Sequence, residues 1–418
     1  MRLPFSASAL LVAVVLLQPA ASAWAQAPVP PNAAAFFDDA QLHTIRLTVN
    51  PRDWSDLKTH YQLNTYYAAH FAWRDQRVQN VGIRSRGTGS RSGDKPGLRI
   101  DFNRFDEGQQ FLGLKSVVLR NNVQDPSHLH ERLGMALFTR LGIPAPREAH
   151  ARLYVNDQYA GLYSVVEAVD KVFLDRHFAQ SNGFLYEYDY DPEDAPYRFE
   201  YRGPDPASYS PKPFRPVTHE LDPDPRPLAE MVRAINHTPV ADLRRVLAPY
   251  VDLEAFVRHV AVEAFLAEVD GVLGDWGMNN FYLYRFERST RSTPIPWDRS
   301  ESFKGGVAAS IWRNLDDVPA ARQNMLMSRA MQVPELRGLF LDTVLQCADA
   351  ALSNEAGTGA GWLEAELRRA YDQIRDAVLD DPLKPFSNDA FEADIERLVE
   401  FARERSAIVR AEVRRSPR

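Results

Sequence analysis

Asp275, Asn280 and Asp298 have the residue types and spacing that phosphoryl transfer requires. Asp275-Trp-Gly-Met-Asn-Asn280 is a D-x-x-x-x-N segment, and Pro296-Trp297-Asp298 brings a further aspartate soon after it. In such a pattern the first Asp orients the acceptor hydroxyl, the Asn holds a divalent cation, and the later Asp holds the cation that bridges the phosphates. The elements needed to gather these groups are also legible. Phe281-Tyr-Leu-Tyr284 reads as a strand, residues 285–292 are polar as in a turn, and Ser-Thr-Pro-Ile-Pro-Trp-Asp298 leads back. A hairpin of this kind places all three groups at one end. Asp270, just upstream, is the next carboxylate in line should Asp275 not serve. A solvated loop with capping residues shows the same spacing, so the segment needs support from the rest of the chain.

A triphosphate also needs cations and backbone N–H groups. The stretch from Arg84 to Lys95 has three glycines, several hydroxyls, Arg86, and a lysine at the start of the next strand-like run. It fits neither G-x-x-x-x-G-K-[ST] nor G-x-G-x-x-G, so it reads either as a phosphate loop or as a flexible hairpin with solvated charges. Arg86 and Lys95 are its phosphate-binding candidates. A phosphate-binding lysine is usually oriented by an acid. Glu167, at the end of the apolar run Leu162 to Val166, is the expected partner.

Several stretches together resemble the CotH family of spore-coat-type atypical protein kinases. They include Val81-Gly-Ile-Arg-Ser-Arg-Gly87, Lys95-Pro-Gly-Leu-Arg-Ile-Asp-Phe102, Leu119-Arg-Asn-Asn-Val-Gln-Asp125 and Leu141-Gly-Ile-Pro-Ala-Pro146. Tyr154 to Glu167, Asn279-Asn-Phe-Tyr-Leu-Tyr284 and Pro296-Trp297-Asp298 follow in family order. The resemblance implies a reduced, atypical protein-kinase-like fold that uses ATP and Mg²⁺ or Mn²⁺ to phosphorylate Ser or Thr of protein partners. It implies Asp275 as the catalytic residue, Lys95, Glu167 and Arg86 at the nucleotide, and Asp298 and Asn280 at the metal. One position departs from the family: the acid commonly found two residues after Asp298 is Ser300 here, with Glu301 following. A serine ligates Mg²⁺ more weakly than a carboxylate does.

Residues 1–25 read as a secretory signal. Arg2 is followed by the apolar core Ala9 to Leu17, too short to span a bilayer, and by small-x-small sites ending at Ala23 and Ala25. Export to a periplasm or the exterior is expected, with no transmembrane anchor. The one cysteine, Cys347, permits no intrachain disulfide. Loss of Arg2 moves the net charge of −7 to about −8, which argues against nucleic acid as a partner. Asp189, Asp191, Glu193 and Asp194 match no cation loop and read as a solvated face. His128 and His130 carry no zinc signature, and Asn121, Asn122 and Asp125 read as turn and cap chemistry.

The expected architecture is α+β, with a strand-rich N-terminal part and a helical C-terminal part. Strands are expected over 43–49, 78–84, 98–102, 117–120, 151–155 and 161–166. Helices are expected over 51–61, from Asp125-Pro-Ser127 through the Leu133/Leu137/Leu141 stripe, and over 171–178 behind the cap Asp170. Residues 26–38 read as a Pro/Ala-rich leader, 39–345 as the kinase-like domain, and 346–418 as a helical extension. Residues 192–227 hold ten of the 29 prolines and read as an insertion. Two other functions compete. One is a pseudokinase that binds or assembles without transfer. The other is a penicillin-binding-type serine hydrolase, from Ser92-x-x-Lys95, Tyr154-Val-Asn156 and Lys304-Gly-Gly306.

Overall fold

The computed structural model describes residues 32–417 apart from 316, 355, 356 and 358. The expected signal segment lies outside the described residues. The last residues of the expected leader fold: helix α1 (Ala33–Phe36) is capped by Asn32, and Phe36 is buried among aromatic rings.

Strand β1 (Leu42–Val49) alternates as its sequence demands, with Ile45, Leu47 and Val49 inward. Helix α2 (Pro51–Thr59) starts where Asn50 Oδ1 accepts the Arg52 amide and Pro51 occupies the first turn. Six further strands follow: β2 (Tyr67–Trp73), β3 (Gln76–Ser85), β4 (Leu98–Asp101), β5 (Ser116–Arg120), β6 (Glu148–Val155) and β7 (Gln158–Glu167). They close into a barrel in the order β1-β2-β3-β4-β5-β7-β6. The closure is the parallel pairing of β1 with β6, Leu42 opposite His150. Asn156 and Asp157, both at positive φ, make the two-residue turn between β6 and β7 that Asn-Asp signals. Phe36, Phe71, Trp73, Phe102 and Phe111 fill the barrel with mostly edge-to-face ring contacts.

Between β5 and β6 lies helix α3 (His130–Arg140), which begins later than Asp125-Pro-Ser127 suggested. His128 sits at φ +60°, and Asp125 accepts the amides of Ser127, His128 and His130 ahead of the first turn. Helix α4 (Lys171–Phe178) has the expected Asp170 cap.

A second sheet, ordered β11-β10-β8-β9, contains β8 (Phe184–Tyr188), β9 (Phe214–Pro216), β10 (Phe281–Arg285) and β11 (Ser292–Pro296). The proline-rich stretch therefore supplies a short edge strand, the place where proline is tolerated. The remaining chain is helical: α5 (Arg226–His237), α6 (Leu243–Leu247), α7 (Leu253–Phe265), α8 (Met325–Ala330), α9 (Pro334–Leu352), α10 (Trp362–Leu379) and α11 (Asn388–Arg415). The larger apolar core joins side chains of α3, α5, α7 and α9 to α11 with the inner face of the second sheet. Helix α9 runs through the expected boundary at 345, so the extension is continuous with the domain before it. Among the described residues no helix is long and apolar enough to cross a membrane.

Candidate functional site

The β10–β11 hairpin brings two of the expected residues together. Phe281 pairs with Pro296, and the Trp297 amide donates to Asn280 O at 3.1 Å, so Asn280 and Asp298 flank the open end. Both lie in the left-handed region, φ +59° and +47°. Asn and Asp tolerate this conformation best, and such residues concentrate at functional sites. Buried Arg299 fixes the hairpin mouth. Its guanidinium holds the carbonyls of Asn280 and Trp297 and pairs with Glu263 of α7.

Asp298 is engaged at both oxygens. Arg120 Nη1 bonds Oδ2, and the Ser300 hydroxyl donates to Oδ1 at 2.8 Å. Burial opposes ionisation of Asp298, but Arg120 and Arg86 outweigh it and hold the carboxyl down at about 2. Arg120 ends β5 and also forms an ion pair with Glu131 in the first turn of α3. One cation thus links a sheet strand, a helix and the aspartate after the hairpin. Trp297 lies beside both arginines, with the Arg120 guanidinium 5.0 Å and that of Arg86 5.6 Å from its ring centre. Burial, and then the charge of Arg120, push Arg86 down to about 10. Behind Arg120 lies Glu148, the first residue of β6, with both carboxylate oxygens buried and unpartnered. Burial pushes Glu131 up to about 7, and burial with Glu131 alongside lifts Glu148 well above the usual range.

Asp275 is elsewhere. Its carboxylate takes Arg313 and, at 2.9 Å, Asn314 Nδ2, with no hydrogen bond to Asn280. The carboxylate at the hairpin mouth is Asp270. Asn280 Nδ2 donates to Asp270 Oδ2 at 2.9 Å, and Asn279 Nδ2 reaches both its oxygens at 3.0 and 3.2 Å. Burial, then Glu268 and Asp298, push Asp270 up to about 7. Asp270 rather than Asp275 is hydrogen-bonded to Asn280, because the chain makes an excursion through 271–278 before it returns.

The expected Lys95–Glu167 pair is not formed. Lys95 Nζ is buried against Asp381 at 2.7 Å, from the turn after α10. Asp381 also accepts the Leu162 amide, and Tyr163 covers the pair. Burial lowers Lys95, with Asp381 opposing. Glu167 holds Arg147 and Arg176. The alternation that turns β7 side chains in and out gives Glu167 to these arginines, while Lys95 lies under the C-terminal segment. The cation–acid pair beside the hairpin mouth is Arg120 with Glu131. Their signal was an arginine closing the apolar run Val117 to Leu119 and an acid one element later. The glycine-rich loop does border the site. Its Arg86 and Ser90 line a recess with Gly97, Arg120, Asn121 and Ser300. Asn121 Nδ2 fastens the loop through the carbonyls of Ser90 and Lys95, both at 2.8 Å. Arg91 ties it to Tyr61 and Asn64.

The hydrolase pattern dissolves. Ser92 Oγ accepts the Lys95 amide at 3.1 Å while Lys95 Nζ points to Asp381. Asn156 caps Val49, and Lys304 pairs with Glu301. A different cluster, Asp125, His130 and Asp394, has donor atoms close enough for a metal ion. Its oxygens already carry hydrogen bonds from the amides of Ser127, His128 and His130 and from the Ser127 hydroxyl. His130 Nδ1 meets Ser300 O at 3.1 Å, and Nε2 lies 3.2 Å from Asp394. Burial opposes the charged ring, but Asp125 and Asp394 outweigh it and raise His130. A protonated imidazole between two carboxylates fits this network better than a cation competing for saturated oxygens.

A model of the family described as CotH kinase protein matches residues 83–409. The chain belongs to the CotH kinase family. The inner spore coat protein H of Bacillus subtilis (strain 168) is 23% identical over 375 residues, spanning 88% of this chain and 97% of that protein. Among solved structures, the Helicobacter pylori proinflammatory kinase CtkA aligns at 8% identity over 76% of this chain and 94% of its own, with a TM-score of 0.30. The family match extends past residue 345 into the helical C-terminal part, the part that supplies Asp381 and Asp394.

Proposed function

We propose that this CotH-family, kinase-like protein is an exported protein kinase that transfers the γ-phosphoryl group of ATP to Ser or Thr of a protein partner. The observation that carries the reading is the linked set Glu131–Arg120–Asp298 facing Asp270–Asn280 across the hairpin mouth. Asp298 and Asn280 offer hard oxygen donors of the kind Mg²⁺ or Mn²⁺ takes. Asn280 commits Nδ2 to Asp270, which leaves Oδ1 for a cation, and the Ser300 hydroxyl can rotate from donor to ligand. When bound, the cation would neutralise charge between the phosphates.

The chain's own residues do the rest. Arg86 and Arg120, beside the recess, supply fixed positive charge to phosphate oxygens, and the loop Arg86–Gly97 encloses them. Glu131 keeps Arg120 oriented. Asp270 replaces Asp275 as the group that orients the acceptor hydroxyl and takes its proton. A carboxyl near 7 is suited to proton transfer at neutral pH. Asp275 then holds the excursion 271–278 in place.

A specific observation also favours the pseudokinase reading: Arg120 and Ser300 already occupy both oxygens of Asp298. Transfer requires Arg120 to release Asp298 when phosphate arrives. The two readings separate when the protein is incubated with γ-labelled ATP, Mg²⁺ or Mn²⁺, and generic acceptors. Label transfer that Asp298→Ala abolishes supports the kinase. Metal-dependent nucleotide binding without transfer supports the pseudokinase. Equal ATP affinity in EDTA and in Mn²⁺ removes Asp298 from the metal role.

A further inference from the structure

The excursion 271–278 joins Asp270 to Asn279 and is firmly held. The Asp275 amide donates to Val269 O at 2.8 Å and the Asn279 amide to Gly271 O at 3.0 Å. Arg313 and Asn314 grip the Asp275 carboxylate. Gly277, at φ +113°, passes so near Pro196 that a Cβ there would lie 2.9 Å from the proline ring. This pinned segment nevertheless presents Trp276 with 53% of its surface exposed. An indole is among the most favourable groups to bury, and its fixed display beside a transfer site suits contact with a partner.

Next to it a recess is lined by Arg198, Gly274, Asp275, Asn314, Val318 and Arg322. Asp275 answers Arg313. The Arg198 guanidinium donates only to Pro196 O, at 3.3 Å, and neither it nor Arg322 has a carboxylate partner among the described residues. The acids Asp191 and Asp194 on the nearby strand connection are both answered by Lys212. Arg198 and Arg322 thus present two guanidinium groups at a recess that also holds Asp275, and these groups are the ones placed to meet an acidic side chain.

We propose that Trp276, Arg198 and Arg322 form the docking surface for the acceptor polypeptide, taking a segment that carries an acidic and an apolar side chain near the hydroxyl to be phosphorylated. This rests on the transfer reading for the identity of the occupant, and it has a readout that does not need transfer. The probes are two fluorescein-labelled peptides with one serine and one leucine, flanked in one by glutamates and in the other by lysines. Their anisotropy is titrated with the full chain in the absence of nucleotide. The glutamate peptide binds about tenfold more tightly than the lysine peptide, and R198E/R322E reverses the order. W276A weakens both by about tenfold. Trp276 and Arg322 are exposed and Arg198 is half-buried with a single long contact to Pro196 O, so the variants keep the parental circular dichroism. In transfer assays the same changes raise KM and spare kcat. Equal or absent binding of the two peptides, or a preference that charge reversal leaves standing, overturns the docking surface. Binding with the expected preference, but without transfer to any acceptor, upholds the surface and overturns the kinase reading instead.

Discussion

Replacing Asp270 by Asn tests the assignment that the sequence pattern and the geometry make differently. The carboxylate is fixed by Asn279 and Asn280 through contacts of 2.9 to 3.2 Å. An asparagine keeps one carbonyl oxygen to accept from them, so one or two hydrogen bonds weaken, each worth about 0.5–1.5 kcal/mol. The same change relieves the burial cost of an ionised group, so the net effect on stability is about 1 kcal/mol or less. The effect on transfer is larger. Loss of a positioned general base costs about 10²–10⁴ in rate, or roughly 3–5 kcal/mol of barrier. The pH dependence has a definite sign. Asp270 is held up at about 7, so transfer rises with pH through about 7 as the base form appears. Burial favours its protonated form, so the fold gives up stability as pH rises from the ordinary carboxylate range to about 7. Asp270→Asn removes both trends. Asp275→Asn breaks only the pair with Arg313, whose side chains are 34% and 30% exposed, so it costs about 0.2–1 kcal/mol. Its transfer rate stays within about threefold of the parent. The assay is kcat from pH 5.5 to 9 with γ-labelled ATP and Mn²⁺, alongside urea unfolding. Parental transfer and an unchanged profile in Asp270→Asn, with a hundredfold loss in Asp275→Asn, would refute the geometric assignment.

Arg120→Met strands Glu131 and Asp298, so urea unfolding should show a loss of about 3–5 kcal/mol; R120M/E131Q recovers part of it, but nucleotide titration shows no return of affinity. Lys95→Met leaves Asp381 buried without its cation at a similar cost, while K95M/D381N refolds toward parental stability with parental nucleotide affinity; a specific loss of affinity in that pair would restore Lys95 to the phosphates. His130, raised in the fold, contributes stability that is whole below its unfolded value near 6.5 and fades as pH climbs through the folded value; Asp394, lowered, contributes stability that fades in acid, and Asp125, raised by burial, opposes it there. Urea midpoints at pH 6 and 8.5 should therefore differ more for the parent than for His130→Gln.

Most strands and the helix caps were legible because they rest on local chemistry. Asp170 caps α4, and β1 alternates, each within a few residues. Closure of the barrel was not legible. Its parallel β1–β6 seam joins residues about a hundred apart, and no local pattern encodes such a pairing. The hairpin with Asn280 and Asp298 was correctly read because both residues sit at the ends of one supersecondary unit. The expected pairing of Lys95 with Glu167 was misread for the opposite reason. Lys95, Glu167 and Asp275 each have an acid or base at suggestive spacing, but partner choice is settled by which elements pack together. Asp381 reaches Lys95 from 286 residues away. Spacing measures distance along the chain, and the excursion 271–278 shows how little that fixes once a loop folds back on itself.

The C-terminal helices explain why the site cannot be understood from the hairpin alone. Lys95 closes the glycine-rich loop, and its buried charge is paired with Asp381, from the turn after α10. His130 opens α3, the helix that carries Glu131, and touches Ser300 beside Asp298 while facing Asp394 of α11. Both sides of the recess are therefore anchored by acids from the last forty residues. A buried charge without its partner costs several kcal/mol, comparable with the whole stability of a domain. The helical part acts as the counter-charge that lets a lysine and a histidine lie buried beside the recess proposed to take the nucleotide. With Lys95 and His130 held by these acids, the cations left at the recess are Arg86 and Arg120, and Arg120 is itself shared between Glu131 and Asp298.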